Sequence, residues 1–277
     1  MSRKLPGRRR EMQDSLDRHL YHPLAARVAT GLASTPVTPN MVSVASGLLV
    51  VLAGVAYTQM AWPVSVLVGL SLHMGWHVLD GADGDLARLT GKVSPSGEIV
   101  DGICDYFSHL FLYILLAWFA HDTFGWIAWA LAGAAAVSRV MQANYHETRR
   151  RQYLAWAHGV AWLRTSQQER RGTLGGLGSL YLRISALLAP EEKAIDSALA
   201  DPARGPALRR AIASAGPEAI TANPVLGANY RTLALGLSML AGSPIWYFIL
   251  EVTVLNVVLI AASLRSRRTI ARLAATA

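Results

Sequence analysis

Long apolar runs alternate with short polar breaks along this chain, and the runs have helical rather than strand length. They cover about 41–57 (MVSVASGLLVVLAGVAY), 61–80, 97–120, 124–145, 225–241 and 244–264 (PIWYFILEVTVLNVVLIAASL). Each is near the ~20 residues that a helix needs to cross a bilayer, so the pattern predicts an all-α polytopic membrane protein with six spans. Thr38, Pro39 and Asn40 break the chain before the first run, and Pro39 suits the first turn of a helix. Ahead of that break, residues 11–34 place Leu16, Leu20, Leu24, Val28 and Leu32 at four-residue spacing, with Arg18 and Arg27 elsewhere on the wheel. This predicts an amphipathic helix on the inner membrane face, the other reading being a helix packed on protein alone. The second run carries His73 and His77 and is expected to continue as a helix through Arg88, past the bilayer edge. The fifth contains Asn229, Tyr230 and Arg231, and the sixth carries Glu251. Between the fourth and fifth, residues 148–224 lack an apolar segment long enough to span and read as a cytoplasmic insertion of short surface helices. Its run GTLGGLG (172–178) lacks the Lys-Ser/Thr of a phosphate-cradling loop and reads as a flexible turn. No internal repeat is visible.

Composition agrees with this pattern. The chain is 52% hydrophobic and 16% charged, too apolar for an ordinary soluble domain of 277 residues. The net charge of +8 does not point to nucleic acid, because the basic residues alternate with the apolar runs and are not interleaved with exposed aromatics. It reads as topology. The breaks near 58–60, 121–123 and 242–243 hold no Lys or Arg, whereas the N-terminal arm, the 81–98 loop, 148–224 and the tail RSRRTIAR are rich in them. Both termini are therefore expected on the cytoplasmic side. The basic start MSRKLPGRRREM is followed by no apolar run until about residue 41 and by no small-residue cleavage site, so it does not read as a cleaved signal peptide. The single cysteine, Cys104, excludes a disulfide framework or a cysteine-based zinc site and reads as a small packing residue.

The chemistry sits between the second and third runs, in DGADGDLARLTGKVSPSGEIVDGICD. With both flanks helical, Asp80 and Asp83 share one face, and Asp101 and Asp105 share another. Four carboxylates gathered at a bilayer edge repel one another unless cations lie between them, and hard divalent ions are the natural occupants. A two-metal site is expected. Intramembrane acids also serve ion pathways, so a cation transporter is the rival reading. A transport path would spread polar groups through the bilayer depth, whereas these acids cluster at one level, at the inner leaflet. Gly84, Ala87 and Gly97 leave gaps where a ligand can approach the backbone closely. Arg88 suits either a diphosphate or a salt bridge, and Asn40 either orients phosphates or is an ordinary capping neighbour. His73 and His77 read as packing residues rather than a metal pair, and Asp85 as solvated.

The spacing D-x2-D-G-x2-A-R-x8-G-x3-D-x3-D, filled by Asp80, Asp83, Gly84, Ala87, Arg88, Gly97, Asp101 and Asp105, resembles the defining motif of the CDP-alcohol phosphotransferases at every fixed position. The resemblance extends to Thr38, Pro39 and Asn40 and to the six-span layout, but not to about 148–224. It implies one membrane domain over 1–277, carrying the 11–34 arm and the 148–224 insertion. It also implies transfer of a substituted phosphoryl group from a CDP-alcohol, such as CDP-diacylglycerol, to an alcohol, with release of CMP and dependence on two Mg2+ or Mn2+ ions. Asp80, Asp83 and Asp101 match the family's metal ligands. Asp105 matches the acid that touches a metal and takes the proton of the attacking hydroxyl. Gly84, Ala87, Arg88, Gly97 and Asn40 would meet the nucleotide.

The family pairs as homodimers, and the small residues GAAA at 133–136 would permit close helix approach. Acceptor choice must lie outside the motif, and Arg139, His146, Arg149 and Arg231 are the candidates, Arg139 and Arg231 foremost, with a phosphorylated acceptor as partner. Pairing with Glu251, Glu147 or lipid headgroups is the alternative for these arginines. Many glycerophosphate-accepting members carry an arginine shortly after the Pro-Asn, whereas this chain reads PNMVSVASGLL, closer to members that take inositol phosphate or amino-alcohols.

Overall fold

A computed structural model describes residues 10–160, 192–221 and 223–276, and within them the chain is helical throughout. After a π-helical turn at Asp17–Tyr21 come α1 (His22–Leu32), α2 (Pro39–Gln59), α3 (Val64–Thr90), α4 (Pro95–Phe124) and α5 (Trp126–His158). Then follow α6 (Glu192–Ala200), α7 (Gly205–Ala215), α8 (Pro217–Ile220), α9 (Ala228–Leu240), α10 (Ile245–Val252) and α11 (Val254–Thr276). The GTLGGLG run falls outside the described residues.

Helix ends follow local chemistry. Thr38 Oγ1 accepts the Met41 N–H at 3.3 Å and Pro39 fills the first turn of α2, as the sequence predicts. Ser94 Oγ likewise accepts the Gly97 N–H at 3.1 Å to start α4. Gly91, at φ +69°, closes α3 in the left-handed conformation that costs glycine nothing. Helix α3 therefore runs through Arg88, as expected, and only residues 91–94 separate it from α4.

The chain divides into two compact units, Met1–Ala136 with Ala228–Val252, and Val137–Gly227 with Thr253–Ala277. In the first, α2 packs on both α3 and α4, α1 lies on α3, and α9 contacts α3 and α10. Its core holds Val50, Tyr57, Trp76, Leu112, Leu116, Leu235 and Phe248. A Cβ at Gly47 would stand 3.3 Å from the Cys104 carbonyl oxygen, so glycine there sets the approach of α2 to α4. The arm departs from the expected leucine stripe. Tyr21, Ala25 and Ala29 are the buried face, and the two alanines pack with Ala82 and Leu86 of α3. Leu16, Leu20, Leu24, Val28 and Leu32 sit beside that face, half-buried. Small side chains win the contact because they let the helix backbones approach closely.

In the second unit α7, α8 and α11 pack together, burying Leu208, Ile212, Ile220 and Ile270, and Trp156 donates to Asp196 at 2.8 Å. Short helices do fill the described residues from 192 to 220. Helix α5 continues to His158, thirteen residues past the expected 145, because its charged run pairs within itself. Glu147 accepts from Arg150 at 2.7 Å and from Arg151 at 2.5 Å. Partial burial works against its charge, yet the hydrogen bonds and charges of Arg150 and then Arg151 hold its carboxyl down to about 2.

Three stretches, Pro39–Gln59, Ser96–Phe124 and Ile245–Leu273, are long and apolar enough to cross a membrane. Helices also occupy the other three expected span positions. Helix α3 carries Asp80, Asp83, Asp85 and Arg88 in its C-terminal half, α5 carries its charged run, and α9 has 13 residues, about 20 Å at 1.5 Å per residue.

Candidate metal and nucleotide site

The end of α3 and the start of α4 carry the acids, and α2 packs on both. One carboxylate oxygen from each of Asp80, Asp101 and Asp105 lies within 4.8 Å of the others, the metal-sized acidic group found among the described residues. At that separation each pair of charges repels by roughly 3–4 kcal/mol at an effective dielectric near 20. Asp101 Oδ1 is buried and accepts no hydrogen bond among the described residues. Convergent hard oxygens, mutually repelling and one lacking a donor, fit divalent cations of the Mg2+ or Mn2+ type.

Asp83 stands against Asp101 and is tied elsewhere. It is buried, Ser43 Oγ of α2 donates to its Oδ2 at 2.5 Å, and the Gly84 N–H donates to its Oδ1. Asp105 is held from α3, where the Trp76 indole Nε1–H donates to its Oδ1 at 3.0 Å. Neither Ser43 nor Trp76 stands out in the sequence. The available signal was spacing, since Ser43 lies one helical turn after Pro39 and Trp76 one turn before Asp80.

The nucleotide candidates divide. A Cβ at Gly97 would lie 3.6 Å from Asn40 Oδ1, which brings Asn40 to the start of α4 beside the acids. A Cβ at Gly84 would lie 3.5 Å from the Arg88 guanidinium, so those two residues border one another. Ala87 is half-buried one turn after Asp83. Asp85 is not solvated as expected. It is 3% exposed and ion-paired with Arg88, which thereby forms the salt bridge of its two readings. His73 and His77 are packing residues. His77 stacks on Tyr21 at 4.6 Å and lies tilted against Trp76 at 4.3 Å, and its Nε2 shares a 2.8 Å hydrogen bond with Thr232 Oγ1.

Of the acceptor candidates, Arg231 is buried in the first unit, where one guanidinium nitrogen donates to both Glu251 oxygens at 2.7 and 2.6 Å. Tyr247 Oη donates to the same carboxylate at 2.7 Å. Arg139 and His146 are half-buried on the portion of α5 that belongs to the second unit. Arg149 is fully buried there, with Gln152 accepting at 2.9 Å.

Residues 36–165 match the family model for CDP-alcohol phosphatidyltransferase, a stretch that contains Asn40, Ser43, Trp76 and all four acids. The chain is also similar to the archaetidylinositol phosphate synthase of Pyrococcus horikoshii, 37% identical over 82 residues. That alignment covers 30% of this chain and 42% of the relative, so the chain spans under half of the relative's length. The match and the full motif inside it identify residues 36–165, just under half of the chain, as a CDP-alcohol phosphatidyltransferase domain.

Proposed function

We propose that this integral membrane protein transfers a substituted phosphoryl group from a CDP-alcohol, CDP-diacylglycerol being the donor favoured, to a second alcohol, with release of CMP in phospholipid synthesis. The observation that carries the reading is the convergence of Asp80, Asp101 and Asp105 within 4.8 Å inside the stretch that matches the family. With Asp83 these residues would hold two divalent cations, which when bound neutralise diphosphate charge and polarise phosphorus for attack. Asp105 lies one turn deeper along α4 than Asp101 and takes the proton of the attacking hydroxyl. Gly84, Ala87 and Gly97 leave backbone room for the nucleotide, and Asn40 orients its phosphates. Arg88 keeps Asp85 neutralised at the rim.

A phosphorylated polyol is the acceptor favoured, supported by the relative's name and by the TPN entry without a following arginine. The acceptor contacts proposed are Arg139, His146 and Arg231. The last already satisfies its charge on Glu251, so its contribution to acceptor binding is the smallest of the three. Six spans place the acids at the cytoplasmic face with both termini on that side, and the protein works as a homodimer.

The test is direct. Purified protein in detergent with CDP-diacylglycerol and individual alcohols should release CMP only with Mg2+ or Mn2+, most strongly with a phosphorylated polyol. Asp105→Asn should lower turnover by about 100-fold or more while leaving donor binding measurable. No CMP with any pair of substrates sinks the proposal, and cation flux in liposomes would favour the transporter instead.

A further inference from the structure

Trp76 is 4% exposed, and a buried indole N–H needs an acceptor. The acceptor here is not a backbone carbonyl of its own helix. It is the side chain of Asp105 across on α4, at 3.0 Å. The indole has little freedom to go elsewhere, since His77 lies against it at 4.3 Å and His109 meets it edge-on at 4.6 Å. His109 in turn addresses the same residue. Its Nδ1 lies 2.8 Å from the Asp105 carbonyl oxygen, and because a carbonyl only accepts, Nδ1 carries the proton. Asp105 is thus fixed twice, at its backbone by His109 and at one carboxylate oxygen by Trp76.

That arrangement matters because a free aspartate rotates about χ1 and χ2 and presents either oxygen to its neighbours. With Oδ1 engaged by the indole, the carboxylate plane is set relative to Asp80 and Asp101. Trp76 lies one turn before Asp80 on α3, so the helix that supplies one acid of the cluster also aims another. The indole N–H is neutral, so it orients the carboxylate without supplying the full opposing charge that an arginine or lysine would.

We infer that Trp76 is a positioning residue for Asp105, selecting the carboxylate oxygen that Asp105 offers to metal and to the acceptor's proton. The inference rests on the role given to Asp105 above. Removing a donor that orients a metal-binding side chain typically costs about 10–100-fold in activity or metal affinity.

Trp76→Phe keeps an aromatic ring between His77 and His109 and removes only the donor. We expect kcat to fall by about 10–100-fold with donor KM within about threefold, and the Mn2+ dissociation constant, measured by electron paramagnetic resonance without substrate, to rise about tenfold or more. A kcat and an Mn2+ affinity both within threefold of wild type, in a folded variant, would overturn the inference. A second arm leaves Trp76 in place. Ultraviolet resonance Raman bands report indole N–H hydrogen bonding, and the wild type minus Trp76→Phe difference isolates this indole from the other seven tryptophans. In Asp105→Ala that band should move to the position of a weaker or absent hydrogen bond, and an unmoved band overturns the inference. Should the wild type release no CMP, the proposed function falls, while the Raman and Mn2+ arms still decide whether Trp76 holds Asp105.

Discussion

Glu251 and Arg231 form the most deeply buried ion pair among the described residues, at 0% and 2% side-chain exposure. Glu251→Gln would leave a guanidinium in a dry environment without its counter-charge, an effect of about 3–5 kcal/mol, and thermal unfolding in detergent should register it as a large loss of Tm. Arg231→Met combined with Glu251→Leu should recover most of that loss, since the lone buried charge is the costly state. Full activity and an unchanged Tm in Glu251→Gln would mean that water reaches the pair. The four acids were legible in the sequence because their spacing is chemically demanding. Asp85 was not, since a carboxylate between Gly84 and Leu86 reads as exposed until Arg88 is seen to fold back onto it. Ser43 and Trp76 escaped because serine and tryptophan are ordinary in apolar helices, and only the fold shows which acid each one faces.

Helix α2 brings the two acid-bearing helices together, and at Gly47 it lies against the α4 backbone beside the acids. Gly47→Val adds two methyl groups beyond a Cβ already 3.3 Å from the Cys104 carbonyl, and overpacking of this kind costs about 1–3 kcal/mol. The strain falls one residue from Asp105, so Gly47→Val should lower CMP release more than Gly31→Val, where a Cβ meets nothing within 4 Å. Equal activity in the two variants would show that α2 gives way freely. Helix existence was readable from hydrophobic runs, and so was the start at Pro39, because proline and a preceding Thr leave a local signature; the third run, expected from 97, starts two residues earlier on the same kind of signature, Ser94 and Pro95. The far end of α5 was not readable. Its arginines look like a cytoplasmic flank until Glu147 is found bridging two of them within the helix.

At the scale of the molecule, the proposed homodimer would pair through a face of small residues. Gly133 and Ala134 are exposed, and a Cβ at Gly133 would meet nothing within 4 Å, so another helix can come close there. Ala134→Cys in a Cys104→Ser background should give a disulfide-linked dimer in native membranes under mild oxidation. A product that stays monomeric, while controls at Trp126→Cys behave alike, would refute pairing through this face. Fold class was legible because six apolar runs leave few architectures open. The division into two units was not, since one boundary falls inside the continuous helix α5, at Ala136, and another between α10 and α11 within a single apolar run, where nothing in the composition changes.

The turn at 91–94 places both acid-bearing helix ends on one hairpin, and α2 immediately precedes it. During synthesis, everything that gathers Asp80, Asp101 and Asp105 has therefore been made before α5 begins. Loop-closure entropy for the site is small, because its parts are neighbours along the chain. Descendants of such a gene can rewrite the later half of the polypeptide, where acceptor preference is proposed to reside, without disturbing the order in which the catalytic half assembles.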